Sequence, residues 1–98
     1  MVQIVRLKEL GYPGEINDLV EDALEWIESE YGLVYDIALD RTTAPKYAFE
    51  IYEYEDFGNY THITSDQWFL YRTRKEATYE CLTAMINYIQ NENSNDRN

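Results

Sequence analysis

The sequence predicts a two-layer α+β domain: a three-stranded antiparallel sheet with two helices on one face, in the order α-β-β-β-α. Two stretches, one near each end, repeat apolar residues at three- and four-residue spacing, the signature of amphipathic helices. Between them the pattern changes to period two, which is that of strands. The links between those strands are short, which favours an antiparallel meander. Each helix has one apolar stripe, so both can cover the same sheet face and close a single core.

At 98 residues the chain suffices for one domain. A domain of this size buries only about 60–70% of its unfolded surface, so its core is thin. Large rings help such a core, and the 10 tyrosines can sit at its edge with their hydroxyls in water. Despite a mean hydropathy of -0.58, this aromatic content argues against disorder.

Residues 1–14 read as an N-terminal arm and turn. Val2 and Ile4 alternate weakly, which suggests an irregular or extended segment over residues 1–10, with a first helical turn in RLKEL as the alternative. Gly11-Tyr12-Pro13-Gly14 is a breaker. The domain proper spans 15–90. Its first helix runs from Glu15 to Tyr31, with Ile16, Leu19, Val20, Ala23, Leu24 and Ile27 on the core side. Gly32 follows, where a left-handed cap costs little. Glu28 and Glu30 oppose the dipole at that end, so packing must hold it.

Leu33 to Leu39 forms the first strand, with Leu33, Tyr35, Ile37 and Leu39 on one face. Tyr47 to Tyr54 forms the second, with Phe49 and Ile51 inward and Glu50, Tyr52 and Tyr54 outward. Glu55 to Asp66 reads as a turn-rich link in which Tyr60 to Ile63 can extend a neighbouring strand. Gln67 to Tyr71 reads as the third strand. Thr73-Arg74-Lys75-Glu76 has the form of a capping box. It opens a helix whose core stripe is Ala77, Cys81, Leu82, Met85, Ile86 and Ile89. The polar residues 91–98 read as a flexible tail.

Nineteen acidic against eight basic residues leave a net charge of -11. That field repels nucleic-acid phosphates and anionic lipid, so direct nucleic-acid or membrane-surface binding is disfavoured. The α-β-β-β-α order is shared with double-stranded RNA-binding domains, but those need a basic patch that only Arg74 and Lys75 echo here. No apolar run approaches the ~20 residues of a membrane span. A single cysteine, Cys81, cannot form an intramolecular disulfide, which suits a reducing, cytoplasmic setting.

Chemistry-bearing constellations are sparse. His62 is the only histidine, which nearly excludes a Cys/His zinc site. A Cys81–His62 dyad is formally available, but Cys81 falls on a buried stripe where a thiol acts as a small apolar group. Asp56-Phe57-Gly58 matches the magnesium-binding tripeptide of protein kinases, yet no other kinase motif accompanies it, and it reads as a turn. Neither a cofactor nor a metal is expected, and nothing supports an enzyme.

Two surfaces remain as interaction candidates. Glu21, Asp22, Glu25 and Glu28 project from the first helix, and no Lys or Arg occurs between Glu9 and Asp40. The bland alternative is a solvated face that keeps the protein in solution. Tyr52, Tyr54 and Trp68 fall on the outward sheet face, where aromatics either meet a partner, a homodimer being the simplest, or form cross-strand pairs. The expected role is a non-enzymatic protein-interaction domain. The alternative is an acidic DNA mimic that inhibits a nucleic-acid-binding enzyme.

Two stretches carry a resemblance. One is Trp26-Ile27-Glu28-Ser29-Glu30-Tyr31-Gly32-Leu33, a helix end leading into a strand. The other runs from Tyr71-Arg72-Thr73-Arg74-Lys75-Glu76-Ala77 through Ile89. Together they resemble small uncharacterised proteins of Bacteroides-type gut bacteria and of their phages and mobile elements. Thr78 and Thr83 depart from that pattern, which prefers Glu, Ala or Leu there. The resemblance implies a cytoplasmic bacterial or phage protein and carries over no catalytic residue.

Overall fold

The computed structural model describes residues 3–15, 19–40, 46–65 and 71–95. The elements are α1 (Ile4–Glu9), α2 (Val20–Tyr31), β1 (Leu33–Asp40), β2 (Lys46–Tyr54), β3 (Tyr60–Ser65) and α3 (Arg74–Asn95). The fold is α+β, with a three-stranded antiparallel sheet in the order β1-β2-β3. Among the described residues, no helix is long and apolar enough to cross a membrane.

The N-terminal segment corrects the expected irregular or extended arm, because residues 4–9 are helical. Ile4, Leu7 and Leu10 recur every three residues, and Leu7 is fully buried while the other two pack against the core. So short a helix cannot hold itself together in water. Contacts with α3 hold it: the Arg6 guanidinium donates to Gln90 Oε1 at 2.6 Å, and Gln3 Nε2 donates to Thr83 Oγ1 at 3.1 Å. Tyr12, buried after the turn, meets the Trp26 ring edge-on at 5.4 Å.

Helix α2 starts at Val20, later than the expected Glu15. Glu15 is not helical, and Ile16 and Asp18 lie outside the described residues. Leu19 has extended backbone and is 67% exposed, so it leaves the predicted stripe. The start is set by Asp22, whose carboxylate accepts from the Leu19 N–H at 3.1 Å. Ala23, Leu24 and Ile27 are buried as expected. Gly32 ends the helix with φ at 70°, and its N–H donates to the Glu28 carbonyl at 3.0 Å.

The β1–β2 ladder pairs Leu33 with Glu53, Tyr35 with Ile51 and Ile37 with Phe49. Leu33, Phe49 and Ile51 are buried on the face toward α2 and α3. A strand stands where the sequence reading placed a turn-rich link. It is Tyr60–Ser65, the segment expected to be mostly turn, and its β-branched and aromatic residues suit a pleated surface. Of the expected strand Gln67 to Tyr71, only Tyr71 lies among the described residues. It exchanges two backbone hydrogen bonds with Tyr47, at 2.7 and 2.8 Å. Tyr71 therefore pairs with the same strand, β2, that β3 pairs with.

Thr73 caps α3 as predicted, accepting from the Glu76 N–H at 3.0 Å. Ala77, Cys81, Leu82, Met85, Ile86 and Ile89 are all buried. The helix continues to Asn95, past the Asn91 at which a flexible tail was expected. A polar sequence lacks an apolar stripe but contains nothing that stops a helix already nucleated.

Candidate interaction surface

The acidic candidates separate once placed on the fold. Glu21, Glu25 and Glu28 are exposed and line a groove of about 250 Å³ between α2 and β1, together with Leu24, Val34 and Tyr35. Burial raises the Tyr35 hydroxyl above its ordinary value, and the charges of Cys81, Glu21 and Glu28 add to the rise. Asp22 does different work, because its carboxylate caps the helix to which it belongs.

On the outward sheet face, Tyr52 packs edge-on against His62, with ring centroids 5.3 Å apart. Its hydroxyl donates to the neighbouring Glu50 carboxylate, and that bond, followed by burial and the charges of Glu50 and Asp36, raises its pKa. Tyr54 packs edge-on against Tyr60 at 5.4 Å, and the two are 47% and 54% exposed. Trp68 lies outside the described residues. The face is thus built of cross-strand aromatic pairs. The Tyr54–Tyr60 pair, at the end where β2 turns into β3, keeps large apolar area in water.

That turn carries a residue missing from the sequence-based candidates. The Asn59 N–H donates to the Asp56 carbonyl at 2.7 Å, so 56–59 is a tight turn. Both central residues have positive φ, Phe57 at 49° and Gly58 at 80°. This is the requirement of a type I′ hairpin turn, which favours Asn-Gly or Asp-Gly. Phe57 occupies the position where Asn is preferred, and it is 94% exposed. The Asp-x-Gly signal marks the turn in the sequence. Only the β2–β3 pairing puts Phe57 at its apex between Tyr54 and Tyr60.

At the same end of the sheet lies a pocket of about 200 Å³ lined by Tyr31, Leu33, Glu53, Tyr88, Ile89 and Glu92. The Tyr88 hydroxyl donates to Glu53 Oε2 at 3.0 Å. Burial, that bond and the charges of Glu53 and Glu92 push the Tyr88 hydroxyl up to about 12. No sequence spacing connects these residues, which come from α2, β1, β2 and α3.

The structure does not assemble the Cys81–His62 dyad. Cys81 is buried in the core, and burial pushes its thiol up to about 12. His62 is exposed on the outward sheet face. Among the described residues, no group of three or more His, Cys, Asp or Glu is placed to hold a metal ion. Of the bases at the start of α3, Arg74 lies over the Tyr47 ring at 5.3 Å and reaches the Ile37 carbonyl. Comparison with protein-family models, with curated proteins and with solved structures finds no match to this chain.

Proposed function

We propose that the chain is a non-enzymatic, acidic protein-interaction domain that presents the β2–β3 hairpin tip to a partner. The observation that carries this reading is Phe57, a bulky apolar side chain 94% exposed on a left-handed backbone. An L-residue in that conformation costs about 1–2 kcal/mol. Burial returns nothing against that cost in the isolated chain. Local rules broken without structural gain are commonest at functional positions.

Charge selects the partner. From Tyr47 to Tyr71 the chain has no Lys or Arg, and Glu53, Glu55 and Asp56 border the tip. Two copies at -11 each repel one another, so a basic protein fits better than a second copy. A photo-crosslinking residue at position 57, with a control at Val5 on α1, tests this in lysate of the source cells. The expected result is one partner linked from 57 and not from 5, with capture lost in Phe57→Asn. Unchanged capture by Phe57→Asn overturns the reading. Light scattering that shows a stable dimer redirects it to self-association.

A second reading, the DNA mimic, draws on α2. Glu21, Asp22, Glu25, Glu28 and Glu30 fall within about 14 Å of helix axis. That density is close to the one charge per about 3.4 Å of a single DNA strand and well below that of a duplex. Reversing Glu21, Glu25 and Glu28 to Lys separates the two: loss of capture there, with Phe57→Asn inert, selects mimicry.

A further inference from the structure

Resting on the interaction role proposed above, we infer that the pocket framed by Tyr31, Leu33, Glu53, Tyr88, Ile89 and Glu92 receives the cationic end of a partner's lysine or arginine side chain. Four features converge on that chemistry. The floor is apolar, since Leu33 and Ile89 are 1% and 3% exposed, and suits the methylene stem of such a side chain. Tyr31 and Tyr88 are among the lining residues, and aromatic rings attract cations. Two carboxylates, Glu53 and Glu92, border it, and no Lys or Arg is among its described lining residues.

The fourth feature is the end of α2. That helix closes at Tyr31, so the negative pole of its dipole lies at the rim, reinforced by Glu28 and Glu30 in the last turn. The Tyr88 hydroxyl is committed to Glu53 and takes up one of that carboxylate's oxygens. A carboxylate has about four acceptor positions, so Glu53 can still receive an ammonium or guanidinium proton. A volume of about 200 Å³ exceeds the ~30 Å³ of a water molecule several times and accommodates either head group. The pocket shares its end of the sheet with the Phe57 turn, through Glu53 on β2. One partner can therefore meet an apolar apex and an acidic socket together.

Amide shifts of the full-length, isotope-labelled protein test this with N-acetyl-lysine methylamide and N-acetyl-arginine methylamide. The neutral control is N-acetyl-norleucine methylamide. Saturable shifts at residues 31, 33, 53, 88 and 89 are expected with the two cations and not with the control. Glu92→Gln, at an exposed position, is expected to weaken both by about threefold. Glu53→Gln, which keeps an acceptor for Tyr88, is expected to do the same. Glu25→Gln, in the other groove, should leave them unchanged. Equal shifts with the norleucine compound, or cation shifts no larger here than along α2, overturn the inference. If these compounds fail while Phe57→Asn still abolishes capture, the socket falls and the interaction role stands. If they bind and Phe57→Asn leaves capture unchanged, the interaction role falls instead.

Discussion

Phe57 sets stability against function within one side chain. Replacing it with Asn or Gly removes the left-handed penalty and exposes less apolar surface. Either variant is expected to stabilise the protein by about 1 kcal/mol in urea unfolding while capture of the partner is lost. A fall in stability would mean that the ring packs on the domain. Cys81 and Tyr88 make the alkaline limb of stability a second test. Each acid has a folded pKa of about 12, above its ordinary value of 9.0 for the thiol and 10.0 for the phenol. Groups shifted upward support the fold fully below the unfolded pKa and lose that support as pH rises toward the folded one. Stability should therefore fall above pH 9. Cys81 alone contributes a limiting slope of about 1.4 kcal/mol per pH unit. Cys81→Ala should flatten that limb, and the wild-type thiol should resist disulfide reagents until the protein unfolds. The sequence announced the first of these residues and not the second. The burial of Cys81 follows from helix periodicity, whereas the bond from Tyr88 to Glu53 joins positions 35 residues apart.

At the scale of elements, the helix starts divide into two kinds. Thr73 supplies a hydroxyl acceptor to the Glu76 N–H, and its capping signal is local. Thr73→Ala is expected to cost about 1 kcal/mol. Leu19 has no polar side chain, so α2 depends on the return bond from Asp22, and Asp22→Ala should cost about 0.5 kcal/mol. Comparing the two midpoints in urea checks the order. Helix α1 gives the larger contrast. As a peripheral arm, its residues would tolerate change to within about 0.5 kcal/mol. With Leu7 wholly buried, Leu7→Ala should instead cost about 2–5 kcal/mol. Thr83 accepts from Gln3 where α1 docks. Nothing within residues 1–10 encodes that contact, because its partners lie 80 residues away.

Across the whole molecule, the net charge of -11 acts in two directions. Self-repulsion opposes the folded state, so added salt should raise the urea midpoint as screening shortens from about 10 Å at 0.1 M. The same salt should weaken capture of a basic partner, chiefly through slower association. Unchanged binding between low and high salt would remove charge from the recognition argument. The sequence alone determined the α+β class, the two ladders' central strand, the Gly32 and Thr73 helix ends and the six-residue core stripe of α3. These follow from periodicity and short-range hydrogen bonding, which a linear sequence carries directly. Tertiary structure decided that α1 is a helix, that residues 60–65 form the third strand and that Asp22 is a cap rather than a free surface charge. It also decided that Phe57 stands at an apex and that residues of four elements line one open, acidic pocket. Weak local patterns leave several backbone states close in free energy. Contacts between distant residues, each worth about 1 kcal/mol or more, then choose among them.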